Sequence, residues 1–229
     1  MRLLWLSLLP MVLSSPAVHA ALLGNTVPAT RYDITVKKVE LCSDVNCSFS
    51  YFVGASTRTF DIAGASAGAD VGSYVDISGI PLFQTWSHVR VTLASQIVVT
   101  AAGNDDQGQA CQSDQTDASA SHTTPGVGIA AAGAGTPQNV FIPDVGALGG
   151  NPTAGDYTGF NMSKVSGGDA TIVFPLAQPY TCKGVMPNIT IKFDTQTAAS
   201  FVDTNGAGAG QSCRLYPRPP VVTITVTDP

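Results

Sequence analysis

The run Tyr32-Asp33-Ile34-Thr35-Val36-Lys37-Lys38-Val39-Glu40-Leu41-Cys42 decides the fold class. Tyr32, Ile34 and Val36 alternate with Asp33, Thr35 and Lys37, the period-two pattern of a strand with one buried face. The apolar phase then slips by one residue, to Val39 and Leu41. A β-bulge at Lys37-Lys38 absorbs such a slip and keeps both halves of the strand on one core. Working outward, short runs of the same kind recur at 48–53, 57–62, 71–77, 86–93, 97–100, 140–142, 170–176, 188–194 and 221–227, with Gly and Pro between them. No 3.6-residue periodicity competes with this pattern. Many short strands with Gly/Pro turns predict an all-β, antiparallel β-sandwich.

Composition agrees. Only 12% of the 229 residues are charged and 44% are hydrophobic, with 23 Gly and 15 Pro. An ordinary domain carries about 25% charged residues. Glu40 is the single glutamate and there are five lysines, so strong surface helix formers are scarce. With 11 Lys+Arg against 16 Asp+Glu, the chain offers no cationic footprint for phosphates, which argues against nucleic-acid binding.

Residues 1–20, MRLLWLSLLPMVLSSPAVHA, combine a positive Arg2, an apolar stretch interrupted by Pro10, and Val18-His19-Ala20 as a small-residue cleavage site. The apolar stretch is shorter than the roughly 20 residues a membrane span needs. The expectation is an export signal at 1–20, then a secreted, cell-surface or periplasmic protein without a stable span. Residues 21–229 are expected to form one sandwich domain with an irregular excursion at about 101–169.

Five cysteines in an exported chain imply disulfides with at least one thiol left over. Cys42 and Cys47 flank a short turn and are the first expected pair. Cys182 and Cys213 bracket the run at 188–194 and are the second, which leaves Cys111 in a polar loop, as a passive thiol or an intermolecular bridge.

The excursion holds no lysine or arginine between Val91 and Ser163. Its acids Asp105, Asp106, Asp114 and Asp117 are candidate oxygen ligands for Ca²⁺, or simply a solvated acidic loop; no other cofactor is implied. Its glycine run from Gly126 to Gly135 superficially matches a dinucleotide fingerprint but lacks the strand and helix that motif needs, and is expected to be a flexible loop. Gly64-Ala65-Ser66-Ala67-Gly68 matches the nucleophile-elbow pattern, again without the strand–turn–helix context, and neither His88 nor His122 is placed beside Ser66 by sequence. Catalysis is not expected.

Strict alternation puts Trp86, His88 and Arg90 on one face of the run at 86–93, opposite Val89, Val91 and Leu93. If that face were exposed, Trp86 could stack a sugar ring or anchor a partner; if covered, it is core. The ends form a second candidate surface. Residues 21–29 are an uncharged lead-in, and residues 221–227 are β-branched and uncharged. Uncharged edges invite strand addition. The expected function is therefore a non-enzymatic, exported structural or interaction protein whose partner is a protein, including copies of itself. The specific form is a filament or surface-layer subunit that pairs through residues 21–29. A glycan- or calcium-binding module is the alternative.

The stretches YDITVKKVELC, RTFDIAG and ISGIPLFQTWSHVRVTL, followed by ITIKFDTQTAASFV and RLYPRPPVVTI, resemble the prealbumin-like β-sandwich domains of unknown function found in exported bacterial proteins. The chain departs from that pattern at Leu82-Phe83, where the family has Ala-Gly, and in its longer middle segment. The resemblance implies an exported sandwich and no catalytic residues.

Overall fold

A computed structural model describes residues 24–64, 80–114, 120–147, 152–184, 188–203 and 213–227. The expected strand at 71–77, Ser66 and Asp117 lie outside these residues, as does the expected signal at 1–20.

A short strand, β1 (Asn25–Val27), leads into the fourteen-residue β2 (Ala29–Cys42). β2 organises the larger sheet, because each half of it has a partner on both sides. On one side lie β3 (Ser50–Gly54) and β4 (Arg58–Asp61). On the other lie β5 (Thr85–Leu93) and β6 (Gln96–Asn104). The register against β5 shifts between Val36 and Lys38, so the bulge expected at Lys37-Lys38 is present. Its consequence is also seen: Tyr32, Ile34, Val36 and Leu41 are all buried.

The excursion is more ordered than its composition suggests. β7 (Ala110–Gln112) closes a hairpin on β6, β8 (Gly126–Gly128) joins a second sheet, and β9 (Gln138–Phe141) pairs with β6. A single helical turn, α1 (Ala154–Gly159), is capped by Thr153 and Asp156 in a reciprocal capping box. Tyr157 then packs into the core and donates its hydroxyl proton to the Pro143 carbonyl. The glycines of the run at 126–135 are there for close approach rather than mobility. A Cβ at Gly128 would lie 2.4 Å from the Gln112 carbonyl oxygen, and Gly135 has φ +74 beside the Ala101 carbonyl.

The chain continues through β10 (Met162–Lys164) into β11 (Ala170–Thr181), which runs antiparallel to β5. β12 (Asn188–Asp194) and β15 (Val221–Thr227) extend this sheet; β15 lies antiparallel to β12 and parallel to β11. Between them in sequence, β13 (Ala199–Asp203) and β14 (Cys213–Pro217) complete the second sheet, of order β1-β13-β14-β8. Among the described residues the larger sheet has eleven strands and its main path runs β12-β15-β11-β5-β2-β6-β7.

The small sheet packs on the large one through Val27, Ala199, Phe201, Cys213 and Leu215, which meet Tyr32, Ile34, Leu93, Val99 and Ile172 in one apolar cluster. A second cluster joins Leu41, Val53, Trp86 and Val89 to Leu176, Tyr180 and Ile224. Residues of β2 and β3 thus share a cluster with Ile224 of β15, three strands from β2 along the sheet path, so the sheet curls. The fold is all-β and sandwich-like, as expected.

On the outer face, Arg90 donates to Glu40 through Nε at 2.7 Å and Nη2 at 2.9 Å, and Lys38 Nζ adds an ion pair at 2.8 Å. The Arg90 hydrogen bonds outweigh the opposing effect of burial and hold the Glu40 carboxyl below the ordinary glutamate range. A depressed folded-state pKa contributes stability that is present above the ordinary glutamate value and lost as pH falls through the folded one. Urea midpoints should therefore show a gap between the native chain and Glu40→Gln at neutral pH that closes in acid; a gap constant with pH would contradict this assignment.

Candidate functional site: cross-links, a polar cluster and an open sheet edge

Cys42 and Cys47 form a disulfide, as expected. The second bridge joins Cys111 to Cys213, and Cys182 is the buried free thiol. The expected Cys182–Cys213 pair is therefore corrected. It assumed that cysteines bracketing residues 188–194 would meet, but β12 pairs with β15 rather than β14. Cys182 consequently ends in the second apolar cluster, while Cys213 lies between the two sheets, facing β7. Two disulfides indicate an oxidising, non-cytoplasmic setting. Among the described residues no helix is long and apolar enough to cross a membrane.

Two of the acidic candidates, Asp105 and Asp106, serve the backbone. Asp105 is 1% exposed, and its Oδ1 accepts the amides of Gln107 at 3.0 Å and Gln109 at 2.8 Å, closing the β6–β7 turn. Asp106 Oδ1 accepts the Asp203 amide at 2.8 Å and ties that turn to the end of β13. With Asp114 included, the described residues contain no group of three or more His, Cys, Asp or Glu side chains able to hold a metal ion.

Trp86 is 0% exposed. Phe49 stacks on it with ring centroids 5.7 Å apart, and Tyr51 packs at a tilt at 6.2 Å. It belongs to the cluster of Leu41 and Val89 rather than to a face shared with His88 and Arg90. Trp86 is therefore core rather than a surface for a ligand: its ring is already stacked under Phe49, which lies between Cys47 and β3 in the chain.

A cluster that sequence reading missed gathers around His122. Its Nε2 lies 3.5 Å from Ser95 Oγ, and its Nδ1 lies 3.4 Å from Lys164 Nζ. Lys164 has a side chain only 1% exposed; it pairs with Asp144 at 2.9 Å and donates to the carbonyls of Val165 and Gly168. Burial tends to raise the Asp144 carboxyl, but hydrogen bonds from Lys164, Gly167 and Ser166 prevail and hold it below the usual carboxylate range. Asp144 and the two backbone carbonyls already provide one acceptor for each of the three N–H bonds of Lys164. The cluster fastens the β10–β11 turn to the loops at 122 and 144. Lys164, His122 and Asp144 are far apart in sequence, and only the hairpin brings them together.

The strand edges complete the inventory. Residues 25–27 pair within the fold, with Phe201, Ser200 and Ala199 of β13, and the Ala29 amide donates to the Thr195 carbonyl. β15 has β12 on one side and β11 on the other. β15 is thus not an open edge, whereas β1 ends the path of the smaller sheet and has a strand partner on one side only among the described residues. On that side of the larger sheet the open edge among the described residues is β12, which terminates the path. β12 pairs with β15 over seven residues without a register shift. Along β12, Ile191 and Phe193 lean on the two apolar clusters, Ile189 is 41% exposed, and Thr190, Lys192 and Asp194 are exposed. The edge is unbroken and carries one lysine and one aspartate, without the bulges, prolines and multiple lysines that commonly block strand addition. No family model matches the chain, and neither a curated protein nor a solved structure does.

Proposed function

We propose that this chain is an exported, non-enzymatic structural or interaction protein that works at the cell surface or outside the cell by pairing the open edge of β12 with a strand from outside its own fold. The observation that carries this reading is the seven-residue, shift-free pairing of β12, on one side only among the described residues. Edge pairing supplies backbone hydrogen bonds along the strand, and the apolar inner face of Ile189, Ile191 and Phe193 gives an added strand something to bury. The two disulfides fit an exported product.

Negative-stain microscopy and sedimentation of the native material from outside the cell test this. The expected result is an assembly or complex larger than one chain. Native material that sediments as a single chain, with no bound protein, would contradict the proposal.

A further inference from the structure

We propose that the strand added to β12 is β12 of a second copy, paired antiparallel about a two-fold axis at Ile191. The inference rests on the edge-pairing function above and adds the partner and the register. An added strand must keep its apolar side on the inner face, so only shifts of two residues are allowed. The register centred on Ile191 uses all seven residues of each strand. It sets Ile189 against the second copy's Phe193 and Ile191 against Ile191, continuing the apolar inner face. On the outer face Thr190 meets Lys192, and the register sets no two like charges directly opposite. The register centred on Lys192 would oppose two lysines. The register centred on Phe193 would leave only three strand residues paired. The self-complementary choice is therefore the longest one, and it closes as an isologous dimer.

Thr190 provides the test, because it is exposed, lies outside both apolar clusters, and faces Lys192 only in this register. Thr190→Lys places lysine against lysine twice per dimer, and Thr190→Glu creates two opposite-charge pairs. Sedimentation velocity of the native chain over a concentration series should show a monomer–dimer equilibrium. Thr190→Lys should weaken it by about two- to thirty-fold, and Thr190→Glu should strengthen it by a similar factor, both effects shrinking in high salt. Urea midpoints for both variants should stay near the native value, separating association from folding. A dimer whose affinity responds to neither substitution, or responds equally to both, overturns this register and leaves edge-strand pairing standing. A native chain that stays monomeric at every concentration overturns the second copy as partner; larger native assemblies would then point to a different strand on the same edge.

Discussion

Replacing Cys111 and Cys213 together by alanine is expected to cost about 3–5 kcal/mol of unfolding free energy, far more than replacing Cys42 and Cys47. The two bridges differ in what they constrain in the unfolded chain. Cys111 and Cys213 are 102 residues apart, while Cys42 and Cys47 are five apart. Chain-entropy estimates give about 4.7 kcal/mol for the long loop and roughly 2.2 kcal/mol for the short one. The long bridge also joins β7, held to the larger sheet, to β14, in the smaller one. The short bridge only closes the loop after β2. Urea unfolding of the two double variants under oxidising conditions checks the ranking. Equal losses, or a larger loss at Cys42–Cys47, would contradict the two-sheet arrangement.

The second large effect is expected at Phe201. Its side chain is 0% exposed and lies in the inter-sheet cluster, with its ring beside Gly128; a Cβ there would stand 3.1 Å from Phe201 Cε1. β13 holds it between β1 and β14, so neighbours on both sides are fixed by backbone pairing and cannot collapse into the space it leaves. Phe201→Ala is therefore expected at the upper end of the range for aromatic truncation, about 3–5 kcal/mol. Phe52→Ala, at a position 52% exposed, should cost well under 1 kcal/mol. Thermal or urea melts of the two variants measure the contrast, and similar losses for both would refute the assigned core.

These two sites show which parts of the molecule were legible beforehand. The bulge at Lys37-Lys38 could be read because a phase slip is a local signal, and β12 and β15 were bounded correctly because each alternates between clear breaks. Strands of three to five residues such as β1, β8 and β14 hold too few alternations to register. β8 was further hidden because the small size that lets its glycines approach the neighbouring backbone also resembles a linker. The Cys111–Cys213 bridge depends on one sheet packing on another, which no spacing encodes. Trp86 was misplaced on its strand for a related reason: strict alternation holds along the middle of β5, but Trp86, near its start, turns into the second cluster beneath Phe49. Both terminal runs looked like edges because they are uncharged, and β1 does end the path of the smaller sheet. β15 lacks charge while lying between two strands, whereas the edge at β12 carries Lys192 and Asp194.

Hydrogen exchange read by mass spectrometry at several protein concentrations tests the open edge most directly. With β12 available for pairing, its outward-facing amides exchange quickly in dilute solution and gain protection as concentration rises, while the amides of β13 and β2, paired on both sides, stay equally protected throughout. Exchange along β12 that is the same at every concentration, up to that of the native assembled material, would contradict the account.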